Sequence, residues 1–130
     1  MSLSFKEALD GWNKTFTTGD ASFISNIVTD DFVFRPTYEN ENLEQVLVWA
    51  TNTTSILSDY KVINEDKYSL CGFHSVTSRE NPEKRTKMVY ASLRNGKIAV
   101  YHCHEIIPNK FKKNFSLRIE LKKAIFLAAL

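Results

Sequence analysis

His102 and His104 stand two residues apart in KIAVYHCHEII, residues 97–107. Residues at that spacing on a strand point to the same side, so the two imidazoles share a face. Imidazole titrates near neutral pH, and such a pair can move a proton to and from an enolisable carbonyl compound. The competing reading makes His102 a hydrogen-bonded core residue and His104 a rim residue. As a metal set the pair lacks a definite third ligand, His74 being the only obvious histidine, so neither metal nor cofactor is expected. Arg35, if it faces inward, binds a carboxylate or enolate. If it faces outward it pairs with Glu39 or Asp31, and strand alternation sets it with Val33, opposite Phe32 and Phe34. Tyr38 and Trp49 are candidates for the mouth of a pocket, although an aromatic residue on a helix stripe is more often core. No G-x-S-x-G, phosphate loop, dinucleotide fingerprint or H-E-x-x-H occurs.

The element that must position the histidines is the stretch RTKMVYASLRNGKIAVYHCHEII, residues 85–107. Two apolar runs flank Asn95-Gly96, the strongest short signal for a two-residue hairpin turn. A regular ladder from that turn sets Leu93 with Ile98, Ala91 with Val100, Val89 with His102 and Lys87 with His104 on an inner face. The outer face then holds Ser92 with Ala99, Tyr90 with Tyr101 and Met88 with Cys103, and Glu105 falls on that side too. Tyr90, Tyr101 and Met88 on a sheet face outside the main core predict contact with a second copy of the chain. A slip of one residue exchanges the two faces.

Upstream, Phe5, Ala8, Leu9, Trp12 and Phe16 keep helical spacing, with Ser4 and Glu7 at capping-box distance and Gly19 as a stop. Asp20 then caps a short helix with the stripe Phe23, Ile24, Ile27, Val28. Phe32 to Arg35 reads as a short strand stopped by Pro36. A polar loop, 37–42, precedes a helix predicted from Leu43 to Leu57, whose Thr51–Ser55 part is poor in helix formers. Strands follow over 60–63 and 68–78. In the second, Leu70, Gly72, His74 and Val76 share a face and Gly72 marks a bulge or bend. The order is α+β: a curved, mostly antiparallel sheet with three helices from the N-terminal half packed on its concave face.

A chain of 130 residues predicts one domain with enough core to fold without a disulfide. Cys71 and Cys103 are read as reduced thiols. Residues 110–130 hold six basic residues against Glu120, a net +5, which leaves eleven basic and fourteen acidic residues elsewhere. An acidic body argues against nucleic acid as the partner. No signal peptide and no apolar run long enough for a bilayer are present, so the expected location is the cytoplasm, away from membranes. Residues 1–109 are assigned to the α+β domain. Residues 110–130 are assigned to a basic, apolar extension, an extra strand or an arm, in which FSLRIELKK alternates strictly.

FKEALDGWNKTFTTGDASFISNIVTDDFVF, residues 5–34, resembles the start of nuclear transport factor 2-like proteins, including SnoaL-like polyketide cyclases and ketosteroid isomerases. NGKIAVYHCHEI resembles the last hairpin strand of that superfamily. The resemblance covers about residues 5–107 and implies a cystatin-like cone with a pocket between sheet and helices, usually in a dimer. Ketosteroid isomerases place a tyrosine donor in the first helix, where this chain has Trp12, and a general-base aspartate before a proline, where it has Arg35 before Pro36. A guanidinium stays protonated and cannot be that base. The resulting expectation is a SnoaL-like pocket protein for a small apolar molecule, acting by proton transfer on a carbonyl substrate as an isomerase, cyclase or dehydratase, or binding without catalysis. His102 and His74 are the catalytic candidates. Trp12, Arg35, Tyr38, Trp49, Val89 and His104 are the substrate-binding candidates.

Overall fold

Helix α1, Phe5–Thr18, is closed at both ends by its own sequence. The Ser4 hydroxyl accepts the Glu7 N–H at 3.0 Å while the Glu7 carboxylate accepts the Ser4 N–H at 3.0 Å. At the other end Gly19, at φ 74°, donates its N–H to the Thr15 carbonyl at 2.8 Å. The structure is a computed structural model and describes residues 3–36 and 39–107. The expected tail extension, 110–130, and Tyr38 lie outside the described residues.

After α1 come α2 (Ser22–Ser25), β1 (Val28–Arg35), β2 (Glu41–Asn42), α3 (Leu43–Ala50), β3 (Ile56–Glu65), β4 (Ser69–Thr77), β5 (Arg85–Arg94) and β6 (Lys97–Ile106). The second helix is shorter than its stripe, and Val28 opens a strand that begins before Phe32. α3 stops at Ala50, not Leu57, because side chains after it compete for its last carbonyls. The Thr51 hydroxyl donates to the Leu47 carbonyl at 2.8 Å and the Asn52 amide donates to that of Val48 at 2.7 Å. Leu57 instead enters β3, where Asn13 of α1 accepts its N–H at 2.8 Å and donates to its carbonyl at 2.9 Å. The same Asn13 amide donates to the Tyr60 hydroxyl at 2.8 Å, so one side chain ties the helix to the strand.

The six strands of the described residues lie in the order β2-β1-β6-β5-β4-β3, all antiparallel except β1 beside β6. The three described helices cover the concave face, and α1 buries Phe5, Leu9 and Trp12 against it. Gly72 sits where the sheet bends under the helix. A Cβ there would come within 2.4 Å of the Lys61 carbonyl and 2.7 Å of the Phe5 ring, and the β3 register shifts between Val62 and Asn64 opposite it.

The hairpin forms as expected at its tip: Asn95 and Gly96 both have positive φ, and Arg94 pairs with Lys97 and Leu93 with Ile98. One step further the register breaks. Ser92 pairs with Val100, leaving Ala99 as a bulge, and from there Ala91 faces Tyr101, Tyr90 faces His102, Val89 faces Cys103 and Lys87 faces Glu105. The expected faces of β6 are therefore exchanged. Tyr101, Cys103 and Glu105 turn to the concave side; His102 and His104 turn to the convex side with Tyr90, their rings in a row at 5.8 and 6.3 Å. The physical reason is burial. Without the bulge two imidazoles would be desolvated under the helices, whereas with it the Tyr101 ring enters the core 5.0 Å from Trp12 and stacks on Phe34 at 5.8 Å.

Candidate functional site

A cavity of about 260 Å³ opens between the concave face and helices α1 and α3, at the end where β1 and β6 finish and β5 begins. Its wall is aromatic. Trp12, 3% exposed, has Phe16, Phe32, Phe34 and Tyr101 around it at ring separations of 5.0 to 6.3 Å. Trp49, 48% exposed, stands edge-on to Phe16 at 5.2 Å and forms the lip. Helical spacing accounts for both indoles: Trp12 and Phe16 are one turn apart in α1, and Trp49 is three residues beyond Val46, which also lines the cavity.

The opposite wall is polar and comes from alternate residues of adjacent strands. His74 of β4 pairs with Lys87 of β5, and Lys87 pairs with Glu105 of β6, so the three form one row across the sheet. Arg85 precedes Lys87 by two and stands beside Val76. His74, Arg85, Lys87 and Glu41 all line the cavity. The Lys87 ammonium lies 3.5 Å from the Glu105 carboxylate. Arg85 makes no ion pair and no side-chain hydrogen bond among the described residues, and its Nε is sealed from solvent without a partner.

His74 is 3% exposed, and burial lowers its pKa to about 4, with Lys87 pushing the same way. Its Nδ1 lies 3.1 Å from the Ser75 carbonyl. A carbonyl oxygen can only accept, so Nδ1 carries the proton and Nε2 keeps the lone pair. Burial also raises the pKa of the Tyr101 hydroxyl far above its ordinary value and pushes the Cys103 thiol up to about 11. Both therefore keep their protons at neutral pH. The Trp12 indole N–H is buried with no acceptor among the described residues. The lining residues thus include the neutral donors Trp12 and Tyr101, the neutral acceptor His74, the cations Arg85 and Lys87, and the carboxylate of Glu41. Such a set can bind a carbonyl or carboxylate and can take up a proton at one nitrogen.

Of the candidate residues, Trp12, Trp49 and His74 come together in this cavity. Val89 does not line it: it is fully buried opposite Gly72, in the part of the core that Phe5 covers. His102 and His104 sit on the convex face, removed from the cavity by the Ala99 bulge. Arg35 is exposed on that same face beside His102, and its charge, after burial, is a cause of the lowered His102 pKa. Tyr101, expected at a contact between copies, is 4% exposed and lines the cavity. Phe34, Arg85 and Lys87 are additions. Alternation along β5 already put Arg85 and Lys87 on the Val89 side, so the signal was present; what it lacked was the position of the cavity along the strand.

No family model and no curated protein sequence matches the chain. Solved structures do. An NTF2-like protein of unknown function from Cytophaga hutchinsonii is 12% identical, over 87% of this chain and 98% of that one, with a TM-score of 0.65. A protein of the SnoaL-like family from Agrobacterium tumefaciens is 8% identical, over 78% and 93%, with a TM-score of 0.58. A protein with a cystatin-like fold from Nostoc punctiforme is 12% identical, over 82% and 96%, with a TM-score of 0.58. The chain has the NTF2-like, cystatin-like fold that these structures share. None of its described helices is long and apolar enough to cross a membrane.

Proposed function

We propose that this NTF2-like fold serves as a receptacle for a small apolar carbonyl compound, with His74 placed to take a proton from the carbon beside the carbonyl. The observation that carries the reading is a neutral histidine with a free Nε2 in an aromatic-walled cavity of about 260 Å³. Trp12, Phe34 and Tyr101 would pack on the body of the compound. In the step itself the C–H bond breaks, its proton goes to His74 Nε2, and the electron pair moves onto the carbonyl oxygen as an enolate. A histidine held neutral by burial is a weak base, so the enolate oxygen must be stabilised; Arg85, Lys87 and Tyr101 line the same cavity.

β-Tetralone, a small apolar ketone, tests this. Proton NMR in deuterium oxide should show its α-hydrogens exchanging faster than in buffer, and His74→Gln should return the rate to the buffer value. Exchange at the buffer rate by wild-type protein that nevertheless binds the ketone would overturn the proton-transfer step. The reading of binding without turnover would then stand. A specific observation already favours that second reading: the residue before Pro36 is an outward-facing arginine, so β1 itself supplies no carboxylate base, and the carboxylate among the described lining residues is Glu41 of β2.

A further inference from the structure

We propose that the cavity selects ligands bearing a terminal carboxylate, and that Arg85 is the residue that recognises it. The inference rests on the receptacle reading above and names the chemical class of its occupant. Arg85 lines the cavity with its Nε sealed from solvent and unpartnered, and no acid among the described residues lies within ion-pair distance of its guanidinium. A guanidinium cannot shed its charge, so burial against an apolar ligand would leave its donors unpaired at a cost. Its planar fork of N–H groups matches the two oxygens of a carboxylate.

The neighbouring charges point the same way. Lys87 is held by Glu105 at 3.5 Å beside the cavity, whereas Arg85 has no counter-ion within 4.0 Å among the described residues. Glu41 is the one carboxylate among the described lining residues, against two cations, and it forms no ion pair within 4.0 Å. The Lys87 charge also helps to hold His74 neutral. The aromatic wall opposite supplies the low-dielectric surroundings in which a charge-assisted hydrogen bond is strong. The occupant that satisfies both walls is a compact hydrocarbon body with one acid group.

Cyclohexylacetate and its neutral isostere cyclohexylacetamide separate the possibilities. Trp12 and Trp49 are the only tryptophans of the chain and both line the cavity, so intrinsic fluorescence reports occupancy. Wild-type protein should bind the carboxylate about tenfold or more tightly than the amide, the size of a charge-assisted contact. Arg85→Gln should lose that preference, and a far-ultraviolet circular dichroism spectrum like that of wild type should show that the variant is folded. Arg85→Lys should retain part of the preference. Equal binding of both compounds by wild-type protein, or an undiminished preference in Arg85→Gln, would overturn the inference and leave the receptacle reading intact. If wild-type protein binds neither compound, both fall together.

Discussion

Acidification should unfold this protein through His74. The residue is buried, and its pKa lies at about 4 instead of the ordinary 6.5, first because of desolvation and then because of Lys87. In the unfolded chain the imidazole takes a proton near its ordinary value. The folded state therefore binds fewer protons than the unfolded state between these pH values, and stability falls as pH falls. The contribution is fully present above about pH 6.5 and is lost progressively down to about pH 4. At about 1.4 kcal/mol per pH unit, the loss between about pH 7.5 and 4.5 comes to about 2.5 kcal/mol. Against a total of about 5 to 15 kcal/mol for a domain, that is a large share. Depressed carboxylates such as Asp10 and Asp31 add their own acid sensitivity, as do His102 and His104. The test is therefore a difference. Urea unfolding of wild type and His74→Gln should be followed at several pH values across this window. The stability of wild type relative to the variant should drop by about 2.5 kcal/mol over the window. Parallel pH profiles for the two proteins would refute the reasoning, because they would show that His74 is protonated alike in folded and unfolded chains.

Other expectations follow from the packing and from the cavity. Gly72→Ala should destabilise the protein by at least about 1 to 3 kcal/mol in urea melts, since the added methyl meets the Lys61 backbone as well as the movable Phe5 ring. Asn13→Ala should cost about 2 to 4 kcal/mol in the same assay, because it strands both backbone groups of Leu57 at the start of β3 and removes a partner of Tyr60. Trp12→Phe shrinks the ring that would pack on the body of the ligand, so β-tetralone should bind about three- to tenfold more weakly by ligand-observed NMR. His102→Ala and His104→Ala should leave cyclohexylacetate affinity within about twofold of wild type in fluorescence titrations, because both rings face away from the cavity.

The local signals were legible in the chain itself. Ser4, Glu7 and Gly19 bound α1 because capping and left-handed closure depend on residues within a few positions. Asn95-Gly96 turned the hairpin because the positive φ values of that turn suit those two residue types. The alternation of Leu70, Gly72, His74 and Val76 placed His74 on the buried side, and helical spacing placed Trp12 on the sheet-facing side of α1. Similar reasoning misjudged β6, where the alternation was equally clear but its phase was not. A single extra residue at Ala99 inverts every side chain after it. Nothing local to that segment favours the bulge. It is selected by Trp12 and Phe34, distant in sequence, which gain a buried Tyr101 when the histidines are turned outward. The position of the cavity along β5, and with it the role of Arg85, was decided in the same way. Periodicity fixes which face a residue belongs to, but only the packing of helices from the other half of the chain decides where along that face a void remains.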